Sequence, residues 1–262
     1  MWNSALLTCA LAIPVALALC APAKAAVVAA YNFDEGTGLV ANPTVGSITG
    51  ALNSGASFVA GGVQGGAISL SLGGGGLVNF GTSLFPTGPF SVEVWIKTVE
   101  PGGFSLAQHQ SGNISGFFLH VGNSGDGCGT SAGSVGFYVS YPCSGNSPVT
   151  VNDNVWHQLV GTYDGTRSAV YVDGVFQSQS TGGNPLTPPP AGTALLLGGI
   201  DVSGVPTGLF GGLLDNLRLY DTALDATAVR MAYDEVVGTP EPASALLIGA
   251  GLMGLGAVRR RR

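Results

Sequence analysis

Residues Asn154–Thr181, NVWHQLVGTYDGTRSAVYVDGVFQSQST, constrain the fold more than any other stretch of the chain. Three runs rich in β-branched and aromatic residues, Trp156–Tyr163, Ser168–Asp173 and Val175–Ser178, are punctuated by Asp164-Gly165 and Asp173-Gly174. Asp-Gly between such runs predicts tight hairpins, because glycine accepts the positive φ that the turn requires. Two hairpins in succession make a β-meander whose middle strand is paired on both sides.

The remainder of the sequence agrees with an all-β chain. Of 262 residues 43 are Gly and only 9% are charged, which suits neither a disordered acidic tail nor a helical bundle. Dense glycine with short apolar runs reads as many strands joined by tight turns. Between residues 26 and 239, four basic side chains (Lys97, Arg167, Arg218, Arg230) oppose fourteen acidic ones, a net charge of −10. Such a surface repels phosphate backbones, so nucleic acid is not an expected partner. It suits solubility outside the cell or the binding of divalent cations.

In chain order, Val27–Phe33 reads as a first strand, followed by Asp34-Glu35-Gly36-Thr37-Gly38 as a turn. Gly61–Gly66 and Gly73–Gly76 bracket a strand at Ala67–Leu72; no Gly-Lys-Ser/Thr follows either cluster, so neither is a phosphate loop. Phe90–Lys97 alternates cleanly, with Phe90, Val92, Val94 and Ile96 on the core side and Ser91, Glu93, Trp95 and Lys97 opposite. A carboxylate beside an indole is one way to build a saccharide platform, which makes Trp95 and Glu93 candidate ligand residues; packing of Trp95 under a neighbouring loop is the other reading. Phe104–Gln108, Gly116–Gly122, Val135–Ser140 and Ala194–Leu197 continue the strand series, and Phe210–Tyr220 closes it. Asp225–Glu235 has helical spacing, with Asp225 as cap and Val229, Tyr233 and Val236 on one side. A Gly/Ser-rich loop at Asn123–Gly133, with Tyr138 and Tyr141 nearby, is a second candidate recognition surface. The Pro-rich stretch Gly182–Gly192 reads as a stiff crossing loop.

Both ends read as targeting segments. Ala5–Ala21 is apolar and Ala23-Lys24-Ala25 offers a small-x-small cleavage site, so residues 1–25 are expected to be a secretory signal peptide. Cys9 and Cys20 would leave with it. Cys128 and Cys143 remain, and in an exported domain they suggest one disulfide, closing a loop of about 15 residues and contributing roughly 3 kcal/mol; two free thiols are the alternative. At the far end, residues 238–262 hold Pro240-Glu241-Pro242, an apolar run Ala243–Val258, and Arg259, Arg260, Arg261 and Arg262. A short transmembrane helix with a cytoplasmic arginine anchor would leave the preceding chain outside the inner membrane. This order resembles the PEP-CTERM sorting signal of Gram-negative bacteria. The resemblance implies an exosortase-type partner and delivery to the cell surface or exopolysaccharide matrix.

Residues 27–237 resemble a laminin-G-like domain, a two-sheet antiparallel jelly roll of the concanavalin A-like group, with one short C-terminal helix. The similarity is carried by FDEGTG at Phe33–Gly38, the GTYDG and YVDG turns of the meander, and Phe-x-Gly-x-x-Asp-x-x-Arg-x-Tyr at 210–220. It implies a single structural calcium ion at a loop rim. Asp34 and Glu35 after the first strand and Asp215 on the closing strand have the right ligand type and could meet if the first and last strands pair. Catalytic patterns are missing: there is no Glu-x-Asp-x-x-Glu, the Gly-x-Ser-x-Gly spacing occurs only at Gly129–Gly133 within the Gly/Ser-rich loop rather than at a strand-to-helix elbow, and His109, His120 and His157 are scattered. With catalysis set aside, what the resemblance implies is non-catalytic binding of carbohydrate or another surface polymer. A structural matrix role without a defined ligand is the alternative, and an unusual glycosidase stands third.

Overall fold

A computed structural model describes residues 25–108, 115–122, 131–140, 146–180, 185–202 and 205–238. Residues 1–24 of the expected signal peptide, Tyr141, Cys128 and Cys143, His109 and the C-terminal apolar run all lie outside the described residues. Among those described, the first strands are β1 (Val27–Tyr31), β2 (Val40–Ala41), β3 (Gly50–Leu52), β4 (Ala56–Ala60), β5 (Gly66–Leu70) and β6 (Val78–Asn79). The middle of the chain forms β7 (Phe90–Lys97), β8 (Gly102–Gln108), β9 (Phe117–Gly122), β10 (Ser134–Val139) and β11 (Asn146–Thr150). The meander supplies β12 (His157–Tyr163), β13 (Ser168–Val172) and β14 (Val175–Gln179). Then come β15 (Leu196–Leu197), β16 (Ile200–Val202), β17 (Val205–Thr207), β18 (Gly212–Tyr220) and a single helix, α1 (Ala226–Val237).

Two antiparallel sheets face each other. Sheet A runs β14-β13-β12-β7-β18-β5-β4, with β1 also paired to β18, and sheet B runs β11-β10-β9-β8-β15-β6-β3-β2. The first and last strands do pair, from Val27↔Tyr220 to Tyr31↔Leu217. β16 and β17 form a separate hairpin.

Alternation decides what lies between the sheets. Phe90, Val92, Val94 and Ile96 of β7 meet Phe117, Leu119 and Val121 of β9 and Phe137 of β10 in one continuous core. Leu214, Leu217 and Leu219 of β18 join them, although their spacing is irregular. The pleat is reset by a bulge: Asp215 pairs with Trp95 but Arg218 with Glu93, and Asn216 between them takes φ 46°. Asn tolerates this left-handed conformation better than most residues, and the bulge turns both Asp215 and Arg218 to the outer face. The core leaves room for no side chain at Gly161, where a Cβ would stand 2.2 Å from Cδ2 of Phe137 on the opposing sheet.

α1 begins as its sequence suggests. The Asp225 carboxylate accepts the Ala228 N–H at 2.8 Å, satisfying an otherwise free donor of the first turn. Val229, Ala232 and Val236 are buried against sheet A, and Tyr233 lies beside them.

Candidate functional site

The outer face of sheet A under α1 carries the first pair of sequence-predicted ligand residues. Trp95 is 1% exposed, and its indole stacks on the Tyr233 ring at 5.5 Å and 16°. Glu93 is wholly buried; its carboxylate accepts the Tyr220 hydroxyl at 2.6 Å and Nε2 of Gln158 at 2.8 Å. Burial, then the neighbouring Glu93 charge, pushes the Tyr220 phenol far above its usual range. The expectation of an open Trp95–Glu93 platform is therefore corrected. The alternation placed both residues on the right face, and a helix more than 120 residues further along the chain covers it.

Tyr138 is also sealed, at 1% exposure, within a second cluster on the outer face of sheet B. Its ring lies 4.8 Å from Phe118 and stacks on His120 at 5.1 Å and 20°. Its hydroxyl donates to Oδ1 of Asn146. Gly136 makes the stack possible, since a Cβ there would stand 2.5 Å from Cε1 of His120.

The carboxylates proposed for calcium are partly brought together. Oδ1 of Asp34 accepts the Gly66 N–H at 2.6 Å, and Oδ2 of Asp215 accepts the Gln64 N–H at 3.2 Å, so both grip the Gly61–Gly66 loop. Glu35 does not join them: its Oε1 accepts the Asn42 N–H at 2.6 Å. Asp215 is fully buried, and burial pushes its carboxyl up to about 6, the Asp34 charge adding to the rise while N–H groups of Gln64, Asn216 and Val63 oppose it. In charge, the pair suits a hard divalent cation. In number it falls short, because among the described residues no three His, Cys, Asp or Glu side chains gather as a metal site.

Two features were not foreseen. His157 is clamped between Asp173 (Nδ1···Oδ2, 2.8 Å) and Asp153 (Nε2···Oδ1, 3.1 Å), and the Asp173 hydrogen bond raises its pKa against the opposing effect of burial. Phe176, on edge strand β14, is 49% exposed and meets Tyr171 edge-on at 5.5 Å and 74°. Its signal in the sequence is the consecutive Val175-Phe176, which breaks the in–out alternation of a half-buried strand.

One family model, described as the concanavalin A-like lectin/glucanases superfamily, matches residues 72–230, from just before β6 through β18 and into the first residues of α1. The chain belongs to that superfamily. A PEP-CTERM protein-sorting motif matches residues 239–262, one residue beyond the end of α1 and its Gly238 cap. Three similar solved structures are at most 19% identical to this chain and show the fold alone. Domain 4 of AbnA, a GH43 extracellular arabinanase from Geobacillus stearothermophilus, solved with arabinotriose, has TM-score 0.59 at 19% identity over 79% of this chain and 98% of that domain. The binding domain of Paraclostridial Mosquitocidal Protein 1 gives 0.59 at 11%, over 81% of this chain and 53% of that one. A Trypanosoma rangeli sialidase mutant displaying trans-sialidase activity gives 0.58 at 15%, over 81% and 34%. A search of curated proteins returned no match.

Proposed function

We propose that this protein is a non-catalytic binding module for carbohydrate or another surface polymer. It is displayed at the cell surface or in the extracellular matrix of a Gram-negative bacterium after exosortase-type sorting and transient anchoring in the inner membrane. The observation that carries this reading is the joining of a lectin-type sandwich to a sorting motif on one chain, with Gly238 alone between the helix and the motif. The arabinotriose complex of the AbnA domain supports a carbohydrate as the ligand class. Glycosidases set two carboxylates a few ångströms apart across an open cleft. Here Glu93 is closed off beneath α1 and Asp215 is closed off by a loop, which supports binding without turnover.

Sugar rings stack on exposed aromatic faces, and Phe176 is the large aromatic that the described residues leave most open. We assign it to polymer contact. The test is a glycan array and affinity electrophoresis with the exported protein and its Phe176→Ser variant. Saturable binding to a few related glycans, weakened in the variant, is expected. A blank array would leave the structural matrix role, which the burial of Trp95, Glu93 and Tyr138 favours. As a subsidiary proposal, one calcium ion bridges Asp34 and Asp215. It would relieve two like charges, one of them out of water.

A further inference from the structure

The chain just ahead of β1 is bracketed to the chain just after β18. The Ala26 N–H donates to Oδ1 of Asp221 at 3.1 Å, and the Asp221 N–H donates back to the Ala26 carbonyl at 3.2 Å. This bracket extends the ladder past Val27↔Tyr220, on the far side of the register shift that separates Val27 from Ala29. It therefore secures the end of β1 that regular pairing secures least. Ala26 and Asp221 are both exposed, so water competes for each partner, and a peptide N–H facing a carboxylate there gains little.

Cutting the peptide bond on the other side of that nitrogen changes its character. Ala23-Lys24-Ala25 is a small-x-small signal whose scissile bond would be Ala25–Ala26. Hydrolysis by one water molecule leaves a carboxylate on Ala25, which departs with the leader. The amine left on Ala26 takes up the proton and becomes an ammonium. The atom already 3.1 Å from Asp221 is then a cation with three donors, one for the carboxylate and two for water. No side-chain rearrangement is needed to form the ion pair.

We propose that Asp221 is a receptor for the α-ammonium group created by leader removal, so that maturation fastens the first strand to the last. The proposal rests on the export reading above. It differs from a general surface ion pair because one partner does not exist in the precursor. Val27 and Ala25 both rest against the side cluster of Tyr171, Tyr220 and Val229, and processing at this bond removes only Ala25 from that contact.

The full chain, expressed in a Gram-negative host with a general secretory pathway, provides the test. The exported protein is read by intact mass and N-terminal sequencing. Its α-amine acetylation rate at pH 8 is then compared with that of Asp221→Asn. The first residue is expected to be Ala26. Its amine should react about 1.2- to 3-fold more slowly in the parent, because an exposed ion pair raises an α-amine pKa that already lies near the pH of the assay. Molar salt should remove the protection in the parent protein, a control that requires no variant. Another first residue, equal rates in the two proteins, or protection that survives molar salt overturns the proposal while leaving export standing. Recovery of an exported chain that still carries residues 1–25 overturns the signal-peptide reading and the proposal together.

Discussion

Asp215 offers the sharpest test of the energetics. Its carboxyl titrates near 6 in the fold against an ordinary value of 3.8, because burial opposes the charged form and Asp34 adds like charge. A raised carboxyl pKa means that the folded state holds the proton more tightly than the unfolded state. The stabilisation is complete below pH 3.8 and is lost as pH rises through about 6. Raising the carboxyl from 3.8 to about 6, at roughly 1.4 kcal/mol per tenfold change in affinity for the proton, makes this loss about 3 kcal/mol between pH 3 and 7. Other carboxylates titrate in the same window, so the quantity to follow is the difference between the parent and Asp215→Asn. Asn keeps an oxygen for one of the two N–H groups, Asn216 on Oδ1 or Gln64 on Oδ2, and loses the other bond at a cost that does not vary with pH, since it has no titration of its own. Urea unfolding in chelator across this range should show the parent losing about 3 kcal/mol relative to the variant, or about 6–12 °C in melting temperature for a domain of this size. A difference that stays flat with pH would refute the account of Asp215 as an acid whose burial outweighs the N–H groups it accepts.

Calcium at millimolar concentration should raise the melting temperature of the parent and flatten that pH dependence, and Asp34→Asn with Asp215→Asn should abolish both effects; an unchanged melt with calcium or chelator removes the cation. His157→Gln removes a group whose folded pKa is raised by Asp173, so its destabilising effect should be largest below pH 6.5 and fade as pH climbs through the folded value, as followed by denaturant titration. Gly161→Ala forces a methyl into the Phe137 ring across the sandwich and should cost about 1–3 kcal/mol in thermal unfolding. Tyr233→Ala uncovers Trp95; a red-shifted tryptophan emission and a loss of at least the ~0.5–1.5 kcal/mol of the ring pair are expected.

Local chemistry made much of this fold legible. The meander expected at 156–163, 168–173 and 175–178 appears as β12, β13 and β14 within a residue or so, because Asp-Gly turns act over a few residues and need no distant partner. FSVEVWIK became β7 without adjustment, and Asp225 caps α1. β2, β3, β4, β6, β11 and the β16–β17 hairpin were not read. They are short, and several owe their existence to long-range neighbours: Gly55 and Gly76, for instance, approach so closely that a Cβ at Gly76 would stand 2.4 Å from the Gly55 carbonyl. The first strand was read two residues too long, since Phe33 turns to φ 54° while staying buried in the core. For the candidate site, residue type and face were readable but coverage was not. Trp95 and Glu93 point outward as their alternation requires. Whether outward means solvent depended on Tyr233 and Tyr220, and no periodicity links those residues to β7.

The position of β18 has a consequence for how the molecule comes into being. It lies in the middle of sheet A, hydrogen-bonded to β7 on one edge and to β5 and β1 on the other, yet it is the last of the described strands. Without residues 212–220 the sheet is two fragments, β7-β12-β13-β14 and β4-β5, with β1 attached to neither. Closure therefore waits on contacts that span most of the sequence, which makes folding slow and all-or-none. A chain still emerging from a secretion channel stays open until residues 212–220 have passed. The strand that completes the sandwich and the motif that directs its sorting arrive together.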